Sequence, residues 1–108
     1  MITESSPAEF KNTISRPEVE IVDVRSHAEF VNEHIHGAKN LDITSPIFDL
    51  NARLLQKHKV IAVYCRNGHL SQKAAEVLEK MGFPRIVHLY QGLMSWKMMN
   101  LPLEASKG

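Results

Sequence analysis

The segment whose residue types are best suited to catalysis surrounds the single cysteine. It reads Cys-Arg-Asn-Gly-His-Leu-Ser, residues 65–71. An ordinary cysteine, with a pKa of about 8.5, is only about 3% thiolate at pH 7. Positive charge from Arg66, to which a protonated His69 can add, stabilises the ionised form together with free N–H groups at a helix start. Gly68 permits backbone conformations that turn several N–H groups inward as an anion-binding nest. We therefore expect Cys65 to be a nucleophilic thiolate at the mouth of a ring of inward-facing amides.

The elements on either side of this segment are those that would position it. A continuous apolar run, residues 60–64, is typical of a strand buried on both faces. A helix is predicted over residues 71–81, because its alanines and leucine share one face and Gly82 follows as a stop. Ser71 either caps this helix or turns its hydroxyl towards the loop. Ligands of open α/β sheets bind at the carboxyl ends of strands, which is where Cys65 lies.

The rest of the chain alternates between strand and helix patterns, with capping boxes at Ser6 and Ser26 marking two helix starts. Further strands are predicted at 20–24, 40–43 and 86–89, and further helices at 7–12, 27–32, 46–57 and 92–99. This alternation predicts an α/β fold with a mainly parallel sheet and right-handed crossovers. A length of 108 residues predicts one domain, residues 1–108.

Composition excludes several classes of protein. Apolar residues make up 44% and charged residues 23%, and the formal charge is +1. These values are ordinary for a globular protein and predict neither nucleic-acid nor membrane binding. The first ten residues lack a secretory signal, and the longest apolar run, 60–65, is too short for a bilayer. A cytoplasmic location is therefore expected, and residues 104–108 look like a frayed end.

Several segments occur in an order that resembles the single-domain rhodaneses, a family of sulfurtransferases. They are Asp23-Val24-Arg25 with Glu29-Phe30, His34-Ile35-His36-Gly37-Ala38 with Asn40, Cys65-Arg66-Asn67-Gly68, Met81-Gly82-Phe83, and Leu89-Tyr90-Gln91-Gly92 with Trp96. Glu33 and Gln91 lie where the family usually has Gly. The resemblance covers nearly the whole chain. It implies a rhodanese-like α/β fold, with a central, mainly parallel sheet of about five strands and helices on both faces.

The resemblance also implies a reaction cycle. The Cys65 thiolate attacks the outer sulfur of a small sulfur-containing anion, such as thiosulfate, and sulfite leaves. The resulting Cys65 persulfide then gives its sulfur to cyanide or to a thiol, including a protein thiol. No metal or organic cofactor is implied. The residues expected to bind substrate are Arg66, Asn67, Gly68, His69, Leu70 and Ser71, with Asp23 and Arg25 in support.

Two other functions compete with this one. Related cysteine-loop phosphatases and arsenate reductases carry Arg six residues after the cysteine, to neutralise phosphate charge. That position is Ser71 here, which favours sulfur transfer. A non-catalytic interaction module is the second alternative, and its usual marker, loss of the cysteine, is absent.

Leu70 lies where many family members have Arg, Ser or Thr, which predicts weaker use of thiosulfate.

Other residues that could suggest chemistry have simpler interpretations. Asp23 is more readily a brace for Arg25 and the adjacent loop than a general base, because a thiolate held by N–H groups needs none. His34 and His36 lack a third metal ligand at conventional spacing, which favours hydrogen-bonded turn residues. Trp96 and the neighbouring methionines are predicted to form core and lid near the Cys65 pocket; these methionines are Met94, Met98 and Met99.

Overall fold

The computed structural model describes residues 1–106, and in that range strands alternate with helices throughout. The strands are β1 Ile2–Ser5, β2 Val19–Asp23, β3 Lys39–Asn40, β4 Val60–Tyr64 and β5 Ile86–Leu89. The helices are α1 Pro7–Ile14, α2 His27–Asn32, α3 Phe48–Ala52, α4 His69–Lys80 and α5 Gly92–Met98. All strand pairs are parallel, in the order β1-β5-β4-β2-β3. The predicted α/β fold with a central parallel sheet is confirmed.

The sheet separates two apolar cores, and the central strand β4 feeds both. Successive side chains of a strand point to opposite faces. Ile61 and Val63 therefore pack with α3 and α4, whereas Ala62 and Tyr64 pack with α1 and α5. Cys65, two residues after Val63, belongs to the first of these cores. The alternation along β4 thus turns the cysteine towards α4.

Polar groups in the second core are paired. The hydroxyl of Tyr64 accepts a hydrogen bond from the backbone N–H of Ile35 at 3.0 Å. Burial, aided by the nearby negative charge of Asp23, raises the pKa of this phenol far above its ordinary value. The rings of Phe10 and Trp96 pack edge to face, with centroids 6.3 Å apart. Tyr64 is therefore a neutral structural residue beneath the sheet.

The starts of α1 and α2 follow the local signals, because capping depends on neighbouring residues only. Ser6 accepts a hydrogen bond from the N–H of Glu9, whose carboxylate accepts one from the N–H of Ser6. Ser26 caps α2 by accepting from the N–H of Glu29, but the Glu29 carboxylate binds the Ser26 hydroxyl and not its backbone N–H, so the expected capping box is only half formed. None of the helices within residues 1–106 is long and apolar enough to cross a bilayer.

Other boundaries differ from the predictions. The helix expected over 46–57 is limited to Phe48–Ala52, because Leu50 and Leu54 point to solvent instead of extending the buried face. The helix expected from residue 71 already begins at His69. Strand β1 lies at the sheet edge with one apolar residue, Ile2, packed on the core, a pattern too weak to predict a strand.

The frayed end expected for residues 104–108 is wrong where the structure describes it. The backbone of Glu104 exchanges two hydrogen bonds with that of His34, at 2.8 and 2.9 Å, and Ser106 donates to the carbonyl of Val31. Positions 107 and 108 lie outside the described residues. Trp96 is buried as expected, but all three methionines are exposed, so they do not belong to the core: Met94, Met98 and Met99.

Candidate active site

The side chain of Cys65 lies beneath the loop that follows β4. The backbone N–H groups of Gly68 and Ser71 both donate to Sγ, at 3.1 and 3.2 Å. The inward-facing amides expected from the sequence are therefore present. Cys65 is only 1% exposed, so the expected position at the mouth of the ring is wrong: the sulfur is buried beneath the loop. Two amide donors on one sulfur are an arrangement that favours the thiolate.

The inward direction of these amides depends on α5. Its first turn has free N–H groups, and those of Leu93 and Met94 donate to the carbonyls of Cys65 and Arg66 at 2.9 and 3.1 Å. With its carbonyls bound on that side, the loop turns its own N–H groups towards Sγ. Such close contact requires Gly92, because a Cβ there would lie 2.3 Å from the carbonyl oxygen of Cys65.

Ser71 faces the loop and does not cap the helix. The N-cap of α4 is Gly68, which adopts a left-handed conformation with φ of 97°, so the capping role considered for Ser71 is wrong. The Ser71 hydroxyl is fully buried and lies 3.4 Å from Sγ of Cys65. It also lies 3.2 Å from the carbonyl of Gly68 and 3.1 Å from Nδ1 of His88.

His88 and Glu4 complete the site but were not singled out from the sequence. Nε2 of His88 lies 3.0 Å from a carboxylate oxygen of Glu4, in the neighbouring strand. The available signal was a histidine inside an apolar strand, on the same face as Ile86. Glu4 gave no such signal, because β1 itself was not predicted.

The remaining loop residues predicted to bind substrate are exposed: Arg66, Asn67, His69 and Leu70. Asn67 accepts a hydrogen bond from the N–H of His69 at 3.1 Å, which shapes the turn. Beside the loop lies a cleft of about 420 Å³, which Asn67, Gly68 and His69 line from one side. The rest of its lining is Glu4, Gln72, His88, Tyr90, Gln91 and Met94. Substrate binding by the loop residues stays a prediction.

Asp23 and Arg25 form a buried ion pair at the end of β2. The guanidinium Nη2 lies 2.8 Å from Oδ2 of Asp23, and Oδ1 accepts the backbone N–H of Arg25 at 2.9 Å. Nη2 also donates to the carbonyl of Glu33 at 2.5 Å. Burial alone would lower the pKa of Arg25, but the bonds and charge of Asp23 outweigh it and raise that pKa. These contacts have the form of a brace.

The two turn histidines have partners of their own. Nδ1 of His34 lies 2.8 Å from the carbonyl oxygen of Phe30, and the two rings stack with centroids 4.1 Å apart. Nδ1 of His36 is paired with the carboxylate of Glu104. The first contact holds the segment after α2 against that helix, and the second holds it against Glu104 near the end of the described chain.

Similarity to known proteins extends across the chain. An uncharacterized protein of Synechocystis sp. is 37% identical over 89 residues, which are 81% of this chain and 48% of that protein. A thiosulfate sulfurtransferase, GlpE of Coxiella burnetii, is 28% identical over 107 residues, covering 99% of this chain and 98% of its own. This chain thus spans about half of the first relative and nearly all of the second.

Structural similarity agrees with the sequence comparisons. The crystal structure of a rhodanese-related protein from Thermoplasma volcanium superimposes with a TM-score of 0.83 at 25% identity, covering 94% of this chain and 97% of that one. The family model described as the rhodanese-like domain matches residues 6–99, which include the complete cysteine loop and the α5 turn that orients it. On the strength of that match, this chain belongs to the rhodanese-like domain family.

Proposed function

We propose that this protein is a sulfurtransferase that carries sulfur as a persulfide on Cys65. The observation that supports this most directly is the pair of backbone N–H groups aimed at Sγ. They stabilise negative charge on sulfur without a basic side chain in direct contact. The name of the Coxiella relative, which has nearly the same length, agrees with the proposal.

In the first step, a lone pair of the Cys65 thiolate attacks the outer sulfur of the donor. With thiosulfate, the sulfur–sulfur bond of the donor breaks and its electron pair leaves with sulfite. The product is a persulfide anion on the enzyme, so the total charge is conserved. Remaining N–H groups of the 66–71 loop would hold the oxygens of the donor and then the outer sulfur.

In the second step, an acceptor attacks the outer sulfur of the persulfide. Cyanide leaves as thiocyanate, and a thiolate leaves as a new persulfide; in both cases the Cys65 thiolate is regenerated. The outer sulfur extends about 2 Å beyond Sγ. This matters because Sγ is almost fully buried. The transferable sulfur is therefore easier for an acceptor to reach than Sγ itself.

Intact mass spectrometry tests the proposal. Incubation with thiosulfate should add about 32 Da to the protein, the mass of one sulfur, and cyanide should remove it. Cys65→Ala should show no adduct, and because the chain has a single cysteine no other thiol can replace it. Glutathione persulfide serves as a second donor. If neither donor modifies the wild-type protein, or if Cys65→Ala is modified equally, the proposal is wrong.

Leu70 is expected to weaken the use of thiosulfate, since a leucine at the edge of the loop offers the dianion neither charge nor a hydrogen bond. Leu70→Arg should lower the KM for thiosulfate about fivefold, as expected for one partly exposed charge pair, with little change in kcat. Leu54→Arg is the matched control, because that leucine is exposed on a different surface. Steady-state kinetics with cyanide as acceptor measures both. An unchanged or higher KM in Leu70→Arg contradicts this prediction.

A further inference from the structure

A chain of hydrogen bonds joins the buried sulfur to the protein surface. It runs from Sγ of Cys65 to Oγ of Ser71 at 3.4 Å, and from there to Nδ1 of His88 at 3.1 Å. Nε2 of His88 then meets a carboxylate oxygen of Glu4 at 3.0 Å. The first three residues are buried, whereas the side chain of Glu4 is 55% exposed.

Strand register produces this alignment. His88 lies opposite Glu4 in β1 on one side and opposite Val63 in β4 on the other. Cys65 follows Val63 by two residues and so emerges on the same face of the sheet. α4 packs on that face and supplies Ser71 between the two side chains. Three sequence-distant segments, β1, residues 65–71 and β5, are thus required to make the hydrogen-bond chain.

The charge of Glu4 sets the direction of the hydrogen bonds. A carboxylate only accepts, so Nε2 of His88 carries the ring proton and Nδ1 is left as an acceptor. The Ser71 hydroxyl can then donate to Nδ1, which is nearer and more basic than its alternative partner, the carbonyl of Gly68. Oγ of Ser71 is left free to accept from the thiol of Cys65. Every proton in the neutral chain points away from the sulfur.

We propose that His88 is the base that removes the thiol proton of Cys65, acting through Ser71 and held in place by Glu4; this inference rests on the proposed sulfurtransferase function. The amides stabilise the thiolate once it has formed, whereas His88 accepts the proton, so the proposal replaces the expectation that no base is needed. The S–H bond breaks and its proton passes to Oγ of Ser71, while the hydroxyl proton of Ser71 moves to Nδ1. The S–H electron pair stays on sulfur as the thiolate. No electrons are exchanged, and His88 becomes an imidazolium beside the Glu4 carboxylate.

After the transfer, the hydrogen bonds that join His88, Ser71 and Cys65 run in the opposite direction. Nδ1 of His88 donates to Ser71, whose hydroxyl now donates to Sγ, giving the thiolate three donors with the amides of Gly68 and Ser71. The described titratable groups that share the cleft with His88 are Glu4 from β1, His69 from α4 and Tyr90 after β5. Helix α1 packs with the opposite core, and α5 adds only the uncharged Met94 to this cleft. A positive imidazolium in this cleft would also attract an anionic donor.

Alkylation of Cys65 by iodoacetamide, without any sulfur donor, measures the thiolate directly. We expect His88→Asn to lower the alkylation rate about tenfold at neutral pH and to move the pH profile to higher pH. The Asn amide can still accept from Ser71 but cannot take a proton. Ser71→Ala should lower the alkylation rate to the same extent. Ser71→Thr keeps a hydroxyl and should therefore keep the wild-type profile. Glu4→Gln should lower the rate about threefold.

His34→Gln is the matched control, because it removes a buried imidazole that lies outside the cleft, and its alkylation profile should equal that of the wild type. Circular dichroism establishes that each variant is folded; Glu4→Gln, at the surface, remains informative if His88→Asn does not fold. Profiles of His88→Asn, or of Glu4→Gln in its place, that superimpose on the wild type overturn the relay. Failure of wild-type protein to form a persulfide, with the alkylation differences intact, would instead contradict sulfur transfer alone.

Discussion

Gly92→Ala is expected to slow persulfide formation about 100-fold, since displacement of reacting groups by about 1 Å has effects of this size. The new Cβ would lie 2.3 Å from the carbonyl oxygen of Cys65 and 2.8 Å from the carbonyl carbon of Arg66. These are backbone atoms that cannot rotate away. Helix α5 must therefore retreat, which breaks the bonds from Leu93 and Met94 that orient the loop. The N–H groups aimed at Sγ lose their direction with them.

The same substitution should lower the free energy of unfolding by about 3 kcal/mol, combining overpacking with the cost of a left-handed alanine. Gly37→Ala is the control, because its φ of 85° carries the same backbone cost while the nearest side-chain atom, Cδ1 of Ile21, is 3.7 Å away. It should cost about 1 kcal/mol and keep the wild-type rate. Urea unfolding and the persulfide mass assay measure both quantities. A Gly92→Ala protein with a normal rate would show that α5 does not orient the loop.

Asp23→Asn is expected to lower the free energy of unfolding by about 3 to 4 kcal/mol, the usual consequence of leaving one buried charge without its partner. The side chains of Asp23 and Arg25 are 0% and 5% exposed. Asn keeps an oxygen for the backbone N–H of Arg25 but removes the negative charge, which leaves the guanidinium with the carbonyl of Glu33. Denaturant unfolding measures the loss.

Two controls separate the buried pair from ordinary surface charge. Glu104→Gln removes the pairing of an exposed carboxylate with His36 and should change stability by less than about 0.5 kcal/mol. Asp23→Asn combined with Arg25→Met should recover part of the loss, because no buried charge then remains unpaired. The folded Asp23→Asn protein should form the persulfide within about threefold of the wild-type rate, since a brace does not touch the sulfur. A large loss of rate at normal stability would instead make Asp23 a base.

Some features of this protein depend on local sequence and could be predicted. Capping at Ser6 and Ser26 needs only residues three positions apart. The apolar run before Cys65 is typical of a buried strand, and Gly68 marks the turn from strand to helix. Parallel pairing follows from the alternation of the two element types. The fold class could therefore be inferred from local patterns, whereas the family was implied only by the resemblance of the ordered motifs.

Boundaries were less predictable, because packing decides which apolar side chains are buried. Leu50 and Leu54 are spaced as residues on one face of a helix, but their side chains are exposed to solvent. Helix α3 is correspondingly short. Strand β1 has too few apolar residues to be recognised from the sequence. An edge strand pairs on one side only and buries little apolar surface, so its sequence carries a weak pattern. Strand β1 forms because β5 supplies its partner, in register from Ile2 to Ser5.

By itself, the sequence determined that a cysteine would follow a buried strand and meet a helix start, because both elements depend on neighbouring residues. Only the tertiary structure decided how deep the sulfur lies and which groups touch it. His88 and Glu4 reach the Cys65 site through pairing between strands far apart in the chain, and α5 orients the loop from another segment again. Such contacts depend on register and packing, which local patterns do not specify.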